Sequence, residues 1–128
     1  VSGSLTDSLD ERTPVTAVRL DGPEGLAPLR RRVRAMLADC PSPVVIDVVL
    51  LVDELAASAC ATGFPPFEVR LSRAGDVLRV EVDGVGGVPE PGLGTGVLDA
   101  ISTRWGTGPR GVLWAERELR ARTRFSRR

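Results

Sequence analysis

SPVVIDVVLLVDELAASACATGFPPFEVRLSRAGDVLRVEVD, residues Ser42 to Asp83, decides the fold. Ser42-Pro43 opens a helix, because serine caps and proline suits the first helical position. The spacing predicts a helix over 43–62 that ends at Gly63. It is apolar nearly all round, which fits burial against both a sheet and another helix. Phe67, Val69 and Leu71, then Leu78, Val80 and Val82, alternate with mostly polar residues around Arg73-Ala74-Gly75-Asp76. That pattern predicts a hairpin with one buried face.

One stripe of the long helix breaks its apolar surface. Asp47, Glu54, Ser58 and Thr62 fall within roughly an 80° arc, at about 100° per residue. A carboxylate inside an otherwise apolar helix is costly unless it faces a polar cleft or a partner. Glu54 therefore stands either as a functional carboxylate or as one paired with an arginine.

Outward from this stretch, Val15 to Leu20 predicts a short strand ending at Asp21-Gly22-Pro23. Leu26, Leu29, Val33, Met36, Leu37 and Cys40 then follow helical spacing over about 25–40, with Arg30, Arg31, Arg32 and Arg34 as a solvated face or a partner contact. Gly84 to Gly96 reads as a loop. Val97, Leu98, Ile101 and Trp105 sit at helical spacing, Gly106 to Arg110 makes a turn, and Val112 to Leu119 gives a last strand. Residues 1–12 read as a flexible lead-in, 13–120 as one domain, and 121–128 as a solvated arginine-rich tail.

With 42% hydrophobic and 27% charged residues, the chain reads as globular rather than disordered. No apolar run approaches the roughly 20 residues of a membrane span, and Val1 to Thr13 shows no basic-then-apolar signal pattern. The expectation is a cytoplasmic protein that binds neither membrane nor, since 17 basic residues balance 17 acidic ones, nucleic acid directly. Every basic residue is arginine, and His, Lys, Asn, Gln and Tyr are absent. That removes a Ser-His-Asp triad, histidine-ligated zinc, a P-loop lysine and a Schiff base. Cys40 and Cys60 match no metal spacing and read as two buried reduced thiols.

Gly92-Leu93-Gly94-Thr95-Gly96 leads into the helix that follows. Glycines let a backbone approach a ligand closely, and free amides at a helix start favour phosphate. A flexible turn is the plainer reading of the same residues. Val97 stands where the third spaced glycine of a Rossmann fingerprint belongs.

Glu54-Leu55-Ala56-Ala57-Ser58-Ala59, the hairpin end Val80-Glu81-Val82-Asp83-Gly84-Val85-Gly86, and Gly92-Leu93-Gly94-Thr95-Gly96 occur in that order. Together they resemble the GHKL ATPase superfamily, and within it the anti-sigma-factor serine kinases common in actinobacteria. Ile101-Ser102-Thr103-Arg104-Trp105-Gly106 is also similar to that branch, and the likeness runs from about Val15 to Leu119. The resemblance implies an α/β (α+β) two-layer sandwich, with helices on one face of a mixed, largely antiparallel sheet and ATP between the layers. It implies that Glu54 is the base toward a serine hydroxyl. It places Ser58 where an asparagine holds magnesium, and Thr62 where a histidine is often found. Asp83, Gly84, Gly86, Gly92, Gly94, Thr95 and Gly96 take the nucleotide-binding positions.

The sequence departs from that pattern in three places. Serine is a shorter magnesium ligand than asparagine. Asp83 comes one residue earlier than the adenine-reading aspartate, and a one-residue shift turns a strand side chain to the other face unless a bulge restores it. Only Val88-Pro89-Glu90-Pro91 separates the two glycine motifs, leaving almost no lid. Two readings follow: an ATP- and magnesium-dependent serine kinase acting on an anti-sigma antagonist, or a nucleotide-free pseudo-kinase that binds a sigma factor or antagonist. A homodimer is compatible with either. An unrelated small-molecule enzyme is a third class, left few tools by the missing His and Lys.

Overall fold

A computed structural model describes residues 14–62, 66–83 and 93–120. In chain order these form β1 (Val15–Leu20), α1 (Leu26–Met36), α2 (Ser42–Thr62), β2 (Phe67–Ala74), β3 (Val77–Val82), α3 (Leu93–Ile101), β4 (Arg104–Thr107) and β5 (Leu113–Glu118). The strands make one sheet in the order β1-β2-β3-β5-β4. Each neighbouring pair is antiparallel, so the sheet expected to be mixed and largely antiparallel is antiparallel throughout among the described residues.

The alternation in the hairpin sets the two faces. Phe67, Val69, Leu71, Leu78, Val80 and Val82 are buried in one core with Leu113 and Ala115 of β5. Leu29 and Val33 of α1, Val48, Leu51, Val52 and Leu55 of α2, and Leu98 of α3 join that core. All three helices therefore cover the same face, giving the α+β sandwich. The opposite face carries Arg70, Arg79, Glu81 and Glu116, joined in register by ion pairs. Gly75 closes the hairpin at φ 63°, a backbone region glycine enters without steric cost.

Several expectations are corrected. Helix α1 stops at Met36, and Cys40 lies in the turn beyond it, where its backbone N–H donates to the Leu37 carbonyl at 2.9 Å. Cys40 is half-buried, Cys60 lies on the solvent side of α2, and both are free thiols. Helix α2 is not covered all round, since Ile46 and Leu50 are 56% and 41% exposed. Helix α3 already begins at Leu93, so Gly94, Thr95 and Gly96 form its first turn rather than a loop before it.

Trp105 does not continue that helix. After Ile101 the Ser102 amide closes the last turn onto the Leu98 carbonyl, and the Thr103 amide donates to the Glu116 carbonyl at 2.7 Å. The chain thus enters the sheet as β4, which takes in Gly106 and Thr107, and the turn follows at Pro109–Gly111. Trp105 still reaches back to α3, its Nε1–H donating to Asp99 at 2.8 Å. Trp105 stands beside Ala115 on the core-facing side of the sheet and packs against the core, as an apolar helix residue at that spacing would.

Candidate functional site

Helix α2 is the floor of the site, and the polar stripe seen in the sequence meets different surroundings along its length. Asp47, 1% exposed, turns to the sheet and meets Arg117 of β5 at 3.1 Å. Ser58 is also buried and engaged in a polar interaction. Glu54 is half-buried and opens instead into a cleft of about 540 Å³ between the three helices. Thr62 closes α2.

Leu26 and Arg30 of α1 wall one side of that cleft. Leu50, Asp53, Glu54 and Ala57 of α2 form its floor. Gly96, Val97, Ala100 and Ile101 of α3 wall the other side. The structure thus brings together Glu54 and Gly96, two residues singled out in the sequence. Among the described residues a Cβ added at Gly96 would meet nothing within 4 Å, so this wall leaves room for an incoming group. The first amides of α3, from Leu93 to Gly96, lack carbonyl partners within the helix and carry its positive dipole end.

Glu54 has no hydrogen-bond or ion-pair partner among the described residues, and burial pushes its carboxyl above the usual range. The arginine that could have neutralised it is taken by its neighbour. Arg30 grips Asp53 through three contacts, Nε to Oδ1 at 3.0 Å and to Oδ2 at 3.2 Å, and Nη2 to Oδ2 at 2.9 Å. The sequence reading missed this pair, although the adjacent acids Asp53-Glu54 and the α1 arginine cluster were its signal. An unpaired carboxylate in an apolar cleft can accept a proton or bind a cation.

Asp83 is carried elsewhere. The hairpin runs in register to Val69 opposite Val82, and the Asp83 amide still donates to the Glu68 carbonyl at 3.2 Å, so no bulge turns the side chain inward. Its carboxylate lies on the helix-free face, held by Arg70 at 2.6 and 2.9 Å. These hydrogen bonds hold the Asp83 carboxyl below its ordinary range. Arg70 also binds Glu68 and Glu81, so this aspartate is one member of a structural network.

Ser58 is not among the residues that wall the cleft, and the described residues gather no cluster of three His, Cys, Asp or Glu side chains suited to a metal. Gly84, Gly86 and Gly92 lie outside the described residues. Among those residues no helix is long and apolar enough to cross a membrane. No protein-family model matches the chain, and no curated protein matches it.

Proposed function

We propose that this chain is a cytoplasmic anti-sigma-factor-type regulator, built on a GHKL-like serine-kinase fold, that acts by binding a sigma factor or its antagonist. Its nucleotide motifs have become structural. The observation that carries this reading is the Asp83 carboxylate, locked by two hydrogen bonds to Arg70 on the face away from Glu54. Releasing it to read an adenine amino group would break a two-pronged charged contact, the stronger kind of protein hydrogen bond. Ser58, buried outside the cleft, supports the same conclusion for magnesium.

A second reading keeps phosphotransfer, and one observation favours it: Glu54 and Gly96 share a cleft in which the carboxylate is unpaired. In that reading Glu54 is the proton acceptor toward a serine hydroxyl on the antagonist. Two measurements separate the readings. Titration calorimetry with ATP and magnesium should give a Kd of roughly tens of micromolar or weaker, because each lost hydrogen bond to a buried polar group costs on the order of 1–3 kcal/mol. Capture of the sigma factor or antagonist should be insensitive to ATP and to Glu54→Ala. Submicromolar ATP binding, or radiolabel transfer to the antagonist that disappears in Glu54→Ala, would establish the second reading instead. General-base loss of about 10²–10⁴-fold is easily seen in such an assay.

A further inference from the structure

We infer that the groove over α2 docks an amphipathic helix of a protein partner, with an apolar stripe, an acidic flank and a basic flank. The inference rests on the reading that the chain works by binding protein. It adds where the partner sits and what its segment looks like.

The floor is the exposed ridge of α2. Ile46, Leu50 and Ala57 lie on one side of the helix, and the first two are among the few large apolar side chains that face solvent. From Ile46 to Ala57 the ridge is about 17 Å long, roughly three turns of a docked helix. Helices α1 and α3 rise on either side, as the lining of the Glu54 cleft shows. A second hollow of about 380 Å³, sharing Leu26 and Ala57, continues the groove toward Cys60. Such a floor suits anchors spaced i, i+4 and i+7 on the partner.

The two sides differ in charge. Helix α1 turns into α2 through residues 37–41, so the helices run antiparallel, and the Arg30–Asp53 pair fixes their register. Arg34, one turn after Arg30, therefore lies beside Leu50. Arg34 and Arg31 are exposed and have no acidic partner among the described residues. On the α3 side Glu54 is the unpaired charge, whereas Asp99 is engaged by Trp105. An unpaired cation, Arg34, on the α1 side and an unpaired carboxylate on the other call for opposite charges on the two flanks of the occupant.

The probe is a fluorescein-labelled helical peptide of fourteen residues, alanine-based, with leucines at i, i+4, i+7 and i+11, glutamates on one flank and arginines on the other. Companion peptides carry glutamate on both flanks or arginine on both. Exchanging the two flanks is no control, because a reversed helix would restore the match. Anisotropy should show saturable binding of the mixed peptide, and roughly two- to fivefold weaker binding of each companion, the scale of one surface ion pair. Leu50→Glu should weaken the mixed peptide by at least about tenfold, as loss of an anchor does. Its circular dichroism and melting should match the parent, since Leu50 lies outside the core. No saturable binding up to millimolar peptide, equal affinity for all three peptides, or an inert Leu50→Glu would overturn the inference. So would full-strength capture of a sigma factor or antagonist by Leu50→Glu, which would leave the proposed function standing and put its partner elsewhere. If the unmodified chain binds the mixed peptide but captures neither protein, the groove stands and the proposed function falls.

Discussion

Asp47 and Arg117, seventy residues apart in the sequence, meet at 3.1 Å beneath the helices with side chains 1% and 3% exposed. The guanidinium also donates to the Glu118 carbonyl, while Asp47 Oδ1 has no hydrogen-bond partner among the described residues. The contact ties the first half of α2 to β5. About two turns further along the same helix, Glu54 opens into the cleft.

That ion pair should be expensive to break and cheap to replace. Its mutual attraction offsets the desolvation of two charges, so removing either partner leaves the other buried without its counter-charge. Asp47→Ala or Arg117→Ala alone should lower the free energy of unfolding by about 3–5 kcal/mol. The double variant Asp47→Leu/Arg117→Met should lie within about 1 kcal/mol of the parent or above it. Urea unfolding of the three proteins checks this; additive losses in the double variant would refute it.

This pair also marks the border of what the sequence discloses. Period-two alternation from Phe67 to Val82 and the capped apolar run from Ser42 were legible, because local physics fixes both. The expected cost of Asp47 in an apolar helix was legible too, but its partner was not, since only tertiary packing brings Arg117 under α2. Trp105 misled for a similar reason: its side chain packs against the core on the helix-covered face of the sheet, so a strand residue satisfied a helical spacing. Asp83 was legible in its parity alone. Strand alternation pointed it to the far face, and the structure supplies Arg70 as the group that keeps it there.

Gly106 is opposite Trp114 in the β4–β5 ladder, and a Cβ there would lie 3.1 Å from the indole Cζ2. The Arg79 guanidinium stacks on that same ring, 4.6 Å from its centroid. Gly106→Val should therefore cost about 1–3 kcal/mol, the usual range for inserting atoms into a packed site. In a Trp114→Ala background the same change should cost markedly less. Equal penalties in the two backgrounds would show that the ring is not what requires glycine.

Acid should weaken the fold through its paired carboxylates. Hydrogen bonds from Arg73 pull Asp39 down to about 2, and those from Arg70 hold Asp83 below its ordinary value. A carboxyl depressed in the folded state contributes stability that is present above its unfolded pKa and lost as pH falls through the folded one. The melting temperature should hold above about pH 5 and fall between about pH 4 and 2. Arg73→Ala should be less stable than the parent at pH 7, with the gap narrowing towards pH 2. It should not close, because Arg73 also donates to the Met36 carbonyl at 2.9 Å. A gap independent of pH would assign the contribution of Arg73 to the Met36 and Gly75 carbonyls rather than to Asp39.

Glu54 should behave in the opposite sense. Burial raises its carboxyl, and no cation among the described residues offsets the loss of water. A group raised in the folded state contributes stability below its unfolded pKa and loses it as pH rises through the folded value. At neutral pH the charge therefore burdens the fold, as residues kept for binding or catalysis often do. Glu54→Gln preserves the shape and removes the ionisation. It should raise the melting temperature at pH 7 by roughly a few degrees and leave it nearly unchanged at pH 4. The same substitution should weaken binding of the mixed-flank peptide, whose arginines would lose their counter-charge, and should leave the all-glutamate peptide unaffected or bound more tightly. Lower stability of Glu54→Gln at pH 7 would mean that the carboxylate is a structural acceptor, and its place in the cleft would then have no functional meaning.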